Sequence, residues 1–413
     1  MRVALGLVVV SLLIAPAQAI EPPARPEEIR GSLVIVGSSL GLDQQQIWAK
    51  IIELAGGPGA KIAVFPTASE TPTAEAKRVV SALNAAGAAA FTVPLAVKEL
   101  DASAQQVVQD EQFVQRVRGA SGAYFVGGAQ EYIVDSLRTR DGQPTPLLAA
   151  VWDMYRRGGV IVGCSAGAAI MSHIMYRDAP NVLNTMLHGV RMGKEIDYGL
   201  GFLDQHWFVE QHCLVWGRFA RSLVAMHSQG LKLGIGVDEN TALVVCNREE
   251  LEVLGQRGGV LMDLTQASHD AQLDGFNLKN VRLSYLDRGD SLNLRTLKLT
   301  PSKAKLAEPV IDPTAPNFEP YFDEIIFAND ILGNQALPDL LAKLIDNSRS
   351  EALGLAFSGH AARRGPARGF EFRFYRAADS RGWFTEAFGN DNYTVSNIHL
   401  DIRPIVVSGP LYR

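Results

Sequence analysis

Short apolar segments alternate with helical segments through the first 250 or so residues, and this alternation constrains the fold more than any other feature. The segments SLVIVG (32–37), KIAVFPTA (61–68), GAYFVGG (122–128) and VIVGCSAG (160–167) are typical of strands buried on both faces. Amphipathic helical stretches separate them. The pattern predicts βαβ units and an α/β fold with a mostly parallel, doubly wound sheet.

The pattern changes after LGIGVDENTALVVC (233–246), where short strands follow one another. The segment TPSKAKLAEPVIDPTAPNFEP (300–320) is rich in Pro, Ala and Lys, which predicts a linker. The sequence therefore predicts an α/β domain over 30–299 and a small α+β C-terminal domain over 321–413, to which no role can be assigned. We expect the α/β part to fold without the residues after about Thr300.

Composition and charge exclude several classes of partner. Apolar residues make up 47% of the 413 residues and charged residues 20%, as in ordinary globular proteins. The formal net charge of −5 leaves no basic surplus for a phosphate backbone, so no nucleic-acid partner is expected. The three cysteines fit neither a disulfide framework nor a zinc-binding pattern. No metal or cofactor is implied.

The N-terminus has the pattern of a secretory signal peptide. Arg2 precedes the apolar run VALGLVVVSLLIAP, and Ala17 and Ala19 occupy the small-residue positions of a cleavage site. The alternative, a buried N-terminal strand, does not account for the charge or the cleavage site. We expect residues 1–19 to be removed near Ala19 and the protein to be periplasmic or secreted. No second long apolar stretch follows, so no membrane association is expected after cleavage.

A candidate nucleophile lies in the segment Gly163-Cys164-Ser165-Ala166-Gly167. This fits the G-x-S-x-G elbow, in which a sharp turn from strand to helix exposes the serine beside backbone N–H groups. A serine nucleophile needs a base, and the base needs an orienting acid.

Two histidines and two acids can complete such a site. His206 ends Asp204-Gln205-His206, and His212 ends Glu210-Gln211-His212. Asp238 and Glu239 follow the strand-like run LGIGV. The order serine, histidine, acid differs from that of the α/β-hydrolases, where the acid precedes the histidine.

Several motifs together resemble the cyanophycinases, the serine-peptidase family that includes the aspartyl dipeptidases. These are VGCSAGA, GLGFL, EQHCLVWGRFARSL and GIGVDENTAL, with YFVGGAQ similar to the family's Gly-Gly-(Asp/Asn)-Gln turn. The resemblance covers roughly residues 30 to 300. It implies a fold like class I glutamine amidotransferases, a Ser-His-Glu triad and a homodimer. It also implies hydrolysis of cyanophycin, a poly-aspartate with arginine joined to each side chain, to β-aspartyl-arginine.

The resemblance also implies roles for individual residues. The family's segment reads Arg-Gly-Arg, then two residues, then Arg. Aligned from His212, its glycine and its last two arginines match Gly217, Arg218 and Arg221 without gaps, whereas alignment from His206 requires an insertion. The implied roles are catalytic for Ser165, His212 and Glu239, substrate-binding for Gln130, Gln211, Arg218, Arg221 and Glu210, and oxyanion-binding for the amides of Gly128 and Ala166.

Three positions depart from the family pattern on the substrate side. Ala129 replaces an Asp or Asn, Glu210 replaces an Asp, and Trp216 replaces an arginine. Trp216 either lines the substrate pocket, where it can stack on a guanidinium or an apolar side chain, or packs in the core away from the pocket.

The departures leave alternatives open. These are an aspartyl or isoaspartyl dipeptidase with another substrate and an inactive binding protein. A glutaminase is disfavoured, because that chemistry uses a cysteine at the elbow and Cys164 lies one residue early. Nucleotide binding by VGSSLG (36–41) is a weaker alternative.

Overall fold

The computed structural model describes residues 29–38, 40–98, 104–178, 181–362, 365–389 and 391–408. The expected signal peptide, residues 1–19, lies outside the described residues. The strands are β1 (Ser32–Val36), β2 (Lys61–Phe65), β3 (Ala89–Thr92), β4 (Gly122–Phe125), β5 (Val160–Cys164), β6 (Ile174–Tyr176), β7 (Ile196–Tyr198), β8 (Trp207–Gln211), β9 (Leu233–Val237), β10 (Thr241–Cys246), β11 (Glu250–Gly255), β12 (Gly259–Asp263), β13 (Leu278–Leu286), β14 (Ser291–Asn293), β15 (Leu299–Thr300), β16 (Phe327–Ala328), β17 (Glu351–Phe357), β18 (Ala367–Thr385) and β19 (Asn392–Val407).

The helices lie mainly between the strands of the N-terminal half. They are α1 (Gln45–Leu54), α2 (Pro72–Ala85), α3 (Ala104–Gln109), α4 (Glu111–Arg118), α5 (Gln130–Leu137), α6 (Pro146–Arg156), α7 (Ala166–Ala169), α8 (Val182–His188), α9 (Phe219–Gln229), α10 (Lys303–Leu306), α11 (Ala336–Ile345) and α12 (Gly359–Ala362). Within the described ranges, no helix has the length and apolarity that crossing a bilayer requires.

The first sheet has nine strands in the order β15-β14-β11-β10-β1-β5-β4-β2-β3. Strands β1, β5, β4, β2 and β3 are parallel to one another. Strands β10, β11, β14 and β15 extend the sheet beyond β1 in antiparallel fashion. The predicted α/β class with a mostly parallel sheet is confirmed.

Helices cover both faces of this sheet because its strands are apolar on both sides. In β1, Leu33 and Ile35 pack in a core that includes residues of α4, α5, α6 and α7. Val34 and Val36 point to the opposite face and pack in a core with residues of α1 and α2. The continuous apolar run thus reflects burial on both faces, as expected for a parallel sheet.

The second sheet has eight strands in the order β16-β17-β18-β19-β13-β12-β9-β8. Its strands β8 and β9 are parallel to each other. Strand β19 pairs with β13, with Val281 opposite Leu400 and Leu283 opposite Ile398. The C-terminal strands β17, β18 and β19 therefore extend a sheet that already contains β8, β9, β12 and β13.

This topology corrects the expected division of the chain. The segment 321–413 contains α11 and three long strands, but these strands do not form a sheet of their own. They share one apolar core with residues of β8, α9 and β13. The expected boundary at 300–320 falls inside one packed body, because pairing between β13 and β19 joins segments that are far apart in sequence.

The predicted linker also begins inside the fold. Lys305 in α10 is fully buried, and its Nζ lies 2.9 Å from Oδ2 of Asp287 and 3.5 Å from Oδ1 of Asp290. Composition suggests exposure for a segment rich in Lys and Pro, but a lysine with buried acidic partners can be packed inside.

Candidate active site

Ser165 lies in a tight turn between β5 and α7. Its φ of 53° and ψ of −107° lie outside the helical and strand regions, so the surrounding structure must hold it against backbone strain. A Cβ on Gly163 would lie 2.0 Å from the carbonyl oxygen of Gly167, which explains the first glycine of the motif. The N–H of Ser165 donates to the carbonyl of Val36 at 2.9 Å and fixes the turn to β1.

Ser165, His212 and Glu239 are hydrogen-bonded in series. Oγ of Ser165 lies 2.8 Å from Nε2 of His212, and Nδ1 of His212 lies 3.0 Å from Oε1 of Glu239. The imidazole is 12% exposed and the Glu239 side chain 31%. These residues follow the carboxyl ends of β5, β8 and β9 respectively. The arrangement can supply a nucleophile, a base and an acid that orients the base.

The backbone holds these residues where the two sheets meet. The N–H of His212, which follows the second sheet, donates to the carbonyl of Gly37 at the end of β1 in the first sheet, at 3.2 Å. A Cβ on Gly37 would lie 2.0 Å from the carbonyl oxygen of Asp238. Glycine is therefore needed at 37 for the loop bearing the acids to approach the first sheet.

Burial lowers the pKa of His212 below its ordinary value. The hydrogen bond to Glu239 opposes this effect, while the positive charge of Arg218 adds to it. The net direction favours a neutral imidazole at neutral pH. A neutral imidazole can accept a proton from Ser165.

His206, the alternative base, occupies another part of the surface. Its side chain is 73% exposed, and Nδ1 lies 2.6 Å from Oδ1 of Asp204. It lines a different cavity together with Arg248. The structure thus brings His212, and not His206, to Ser165.

Asp238, the alternative acid, is fully buried and serves other groups. Oδ1 accepts a hydrogen bond from the N–H of Val215 at 3.1 Å. Oδ2 accepts from Nη1 of Arg257 at 3.2 Å and from Nε2 of Gln335 at 2.6 Å. Its carboxylate therefore holds three chain segments together, and Glu239 is the acid that contacts His212.

Cys164 is the last residue of β5, directly before Ser165, and it is buried. Burial raises the pKa of its thiol to about 12, so the thiolate needed for a cysteine nucleophile is strongly disfavoured. None of the three cysteines forms a disulfide. In the described part of the chain, no group of three or more His, Cys, Asp or Glu side chains is placed to hold a metal ion.

Trp216 stacks on the imidazole of His212. The two ring centroids are 4.2 Å apart and the planes differ by 7°. The guanidinium carbon of Arg218 lies 4.3 Å from the centroid of the indole. Trp216 is 50% exposed, so it is not a core residue.

From the sequence we expected a contact with substrate and missed the contacts with His212 and Arg218. The N–H of Trp216 donates to the carbonyl of His212 at 3.3 Å, as in one turn of helix. The i, i+4 spacing of two rings was the available clue.

Glu210 and Arg221 form a buried ion pair. Nε and Nη2 of Arg221 donate to Oε2 and Oε1 of Glu210 at 2.9 and 2.7 Å. The Glu210 side chain is 2% exposed and that of Arg221 6%. The guanidinium of Arg221, expected to meet a substrate carboxylate, is thus already engaged in a bidentate pair.

Arg218 is less fully engaged. Its Nη1 donates to the backbone carbonyl of Gln211 at 3.2 Å and lies 3.9 Å from Oε1 of Glu210. Burial lowers the pKa of Arg218 to about 10, so it remains cationic at neutral pH. Oε1 of Gln211 is buried and has no hydrogen-bond partner among the described residues.

Two further candidates follow β4, Gly128 in the loop and Gln130 at the start of α5. Nε2 of Gln130 donates to the carbonyls of Tyr176 and Arg177, both at 2.9 Å, so this amide fixes the end of β6. Gly128 has a φ of 136°, and a Cβ there would lie 1.9 Å from the carbonyl oxygen of Ala68.

The expected oxyanion donors belong to two segments close to Ser165. A Cβ on Gly127, which precedes Gly128, would lie 3.1 Å from Cβ of Ser165, so this loop runs beside the serine. Ala166 begins α7, and first-turn amides have no carbonyl acceptor within their own helix.

Trp216 also lines a cavity of about 810 Å³. Its lining also includes Arg218, Arg221 and residues 181–184 at the start of α8. The C-terminal residues Asp330, Leu332, Phe357 and Ser358 complete it. The C-terminal segment 321–413 therefore forms one wall of a cavity that is also lined by Trp216, the residue that stacks on His212.

Comparison with known proteins links this site to a family. The profile described as peptidase family S51 matches residues 33–253, more than half of the chain. The match includes Ser165, His212 and Glu239, and it ends before the C-terminal segment 321–413.

Individual proteins show the same likeness. The protein named "Cyanophycinase" of Geminocystis herdmanii is 30% identical over 280 residues, covering 65% of this chain and 95% of its own. That of a Nostoc species is 26% identical over 286 residues, covering 67% and 89%. A solved peptidase from an acI-B1 Actinobacterium has a TM-score of 0.47 and 22% identity, covering 65% of this chain and 98% of its own.

Proposed function

The chain belongs to peptidase family S51 and is a serine peptidase, and we propose that it hydrolyses cyanophycin to β-aspartyl-arginine through Ser165, His212 and Glu239. The observation that carries this proposal is the hydrogen-bonded series from Ser165 Oγ to His212 Nε2 at 2.8 Å and from His212 Nδ1 to Glu239 at 3.0 Å. An inactive scaffold would have no need to hold a strained serine against a neutral, oriented imidazole.

The proposed mechanism follows from these contacts. Oγ of Ser165 attacks the scissile carbonyl carbon while its proton passes to Nε2 of His212. Nδ1–H of His212 donates to Glu239, which fixes the tautomer and stabilises the imidazolium. The amides of Gly128 and Ala166 receive the negative charge on the carbonyl oxygen. His212 then protonates the leaving amine, and water hydrolyses the acyl-enzyme in the same way.

Cyanophycin is the substrate favoured by the curated relatives, which are named cyanophycinases. Arg218 supports it, because a cation on the cavity wall next to Trp216 can pair with a carboxylate of the substrate. Trp216, which stands where the family has an arginine, favours a second candidate, a different β-aspartyl peptide. An indole cannot pair with a carboxylate, but it can stack on an apolar or guanidinium group.

We further propose that the enzyme acts outside the cytoplasm. The support is the arrangement of Arg2, the apolar run and the Ala17 and Ala19 cleavage positions. N-terminal sequencing of the protein recovered from the periplasm or medium of producing cells tests this. We expect a start near Ile20, and a mature protein that retains residues 1–19 in the cytoplasm would contradict it.

The test of the substrate is incubation of the purified protein with cyanophycin granules, followed by mass spectrometry. We expect release of β-aspartyl-arginine and none from the Ser165→Ala variant, which should keep the thermal stability of the wild type. Simple β-aspartyl dipeptides serve as competing substrates. Turnover of those dipeptides with no release from cyanophycin would favour the second candidate, and a Ser165→Ala variant with wild-type activity would eliminate the mechanism.

A further inference from the structure

The cavity beside Trp216 brings together parts of the chain that lie far apart in sequence. Trp216, Arg218 and Arg221 belong to the segment that follows His212, whereas Asp330 and Phe357 belong to the C-terminal segment. The family profile ends at residue 253, so Asp330 and Phe357 lie outside the part of the chain that defines the family.

The C-terminal wall is fixed to the loop that carries the site. The N–H of Gln335 donates to the carbonyl of Leu214 at 3.3 Å, and its Nε2 donates to Asp238 at 2.6 Å. A Cβ on Gly217 would lie 2.5 Å from the carbonyl oxygen of Leu332, so the two backbones are in close contact there. This part of the wall is therefore held in place next to the site.

The position of Asp330 is defined by its neighbours. Ile331 is fully buried, and its N–H donates to the carbonyl of Leu355 at 3.0 Å. The N–H of Leu332 donates to Oδ1 of Asp330 at 3.2 Å. The carboxylate is thus held at the exposed rim of the cavity by backbone contacts on its C-terminal side.

The charges that line this cavity are of both signs. Arg221 is neutralised by Glu210 at 2.7 Å, which leaves Arg218 as the more available cation. Asp330 is exposed, and within the described part of the chain its carboxylate forms no ion pair within 4.0 Å. The cavity therefore presents a cation and an anion that do not neutralise each other.

We propose that this cavity binds an arginine unit of the substrate, with Asp330 selecting its guanidinium and Arg218 its free carboxylate. The inference rests on the proposed function and adds a specificity-determining residue from outside the family-defining region. An arginine joined to aspartate through its amino group retains a free carboxylate at one end and a guanidinium at the other. The planar guanidinium matches a carboxylate in a bidentate pair, and its apolar stem suits the walls formed by Trp216 and Phe357.

The test uses two synthetic aspartate oligomers, one carrying β-linked arginine on each side chain and the other β-linked citrulline. Citrulline has nearly the same shape as arginine but no charge. The variant is Asp330→Asn, whose amide oxygen can still accept from the N–H of Leu332. The matched control is Asp323→Asn, an exposed acid of the same segment that does not line the cavity.

We expect Asp330→Asn to lower the ratio of kcat/KM for the arginine oligomer to that for the citrulline oligomer by about tenfold, mainly through KM. A hydrogen bond to a charged group supports that size of effect after allowance for solvent exposure. Asp323→Asn should keep the wild-type ratio. A ratio within twofold of wild type for Asp330→Asn, or an equal fall in both variants, overturns the inference.

Failure of the proposed function gives a different result. If the wild-type protein cleaves neither oligomer, the proposed function is wrong, and the cavity is judged by calorimetry with the β-aspartyl-arginine and β-aspartyl-citrulline dipeptides. Weaker binding of the arginine dipeptide after Asp330→Asn, with the citrulline dipeptide unaffected, supports the subsite. Equal binding of both dipeptides by wild type and variant overturns it.

Discussion

Replacing Trp216 with alanine tests whether the indole acts on the base of the triad. The indole stacks on His212 with centroids 4.2 Å apart and planes within 7°. It is half-exposed, so its removal leaves no buried cavity, and we expect little change in thermal stability. The change should therefore be seen in catalysis rather than in folding.

The size of the effect follows from the contact that is lost. An aromatic pair contributes about 0.5–1.5 kcal/mol beyond the area it buries. If this contact positions the imidazole for proton transfer, its loss lowers kcat/KM by about 2-fold to about 13-fold. A larger loss would mean that Trp216 also binds the substrate directly.

The pH profile gives a second, independent expectation. Burial is the main cause of the lowered pKa of His212, and removing the indole uncovers one face of the ring, so we expect this pKa to rise. His212 accepts a proton only when it is neutral, so activity is lost as the pH falls through its pKa. A raised pKa moves the acidic limb of the kcat/KM profile to higher pH.

The assay is the pH dependence of kcat/KM for the wild type, Trp216→Ala and Trp216→Phe. The phenyl ring of the second variant can retain the stack, so its acidic limb should stay closer to that of the wild type. If the acidic limb of Trp216→Ala coincides with that of the wild type, or if both variants shift equally, the indole does not act through His212.

Three further experiments test the rest of the site and the fold. His212→Ala should lower kcat by several orders of magnitude and His206→Ala by less than threefold, measured as dipeptide release; a reversed outcome would assign the base to His206. Glu210→Ala should lower the free energy of unfolding by about 3–5 kcal/mol in urea denaturation, since it leaves a buried guanidinium unpaired; a cost below about 1 kcal/mol would contradict that account. Truncation after residue 300 should give a protein that is insoluble or lacks a cooperative transition by circular dichroism, because β13 loses its partner β19; a stable, soluble product would restore the original domain boundary.

The parts of the site that depend on local geometry could be predicted from the sequence. Glycines flanking Ser165 indicate a tight turn, and the apolar run before it indicates a buried strand. The choice of His212 over His206 rested on the resemblance to the family, whose glycine and later arginines align from His212 without gaps. The structure has His212 hydrogen-bonded to Ser165 and His206 at the surface.

The pairing of Glu210 with Arg221 could have been inferred but was not. Glu210 lies in the apolar strand β8, whose five residues are all buried. An acid in such a strand needs a buried cationic or hydrogen-bonding partner. Arg218, which precedes α9, and Arg221, which lies within it, were instead assigned to the substrate, because resemblance to a family does not reveal which cations are already neutralised within the chain.

The C-terminal topology could not be predicted by the same reasoning. Alternating apolar residues in β18 and β19 indicate strands, but they do not identify the strand with which β19 pairs. The Pro-rich composition of 300–320 favoured a boundary, whereas pairing of β13 with β19 and burial of Lys305 are long-range contacts.

Asp238 and Glu239 connect the C-terminal segment to the chemistry of the site. They are adjacent in the short loop between β9 and β10, and their side chains contact different partners. One carboxylate reaches His212 at 3.0 Å while the other accepts from Gln335 at 2.6 Å. The acid that orients the base and the acid that docks the C-terminal segment thus share one short loop. Loss of Gln335 would leave the buried carboxylate of Asp238 without one of its partners, directly beside Glu239. We therefore expect the C-terminal segment to support the position of Glu239, the proposed catalytic acid, as well as the wall of the cavity.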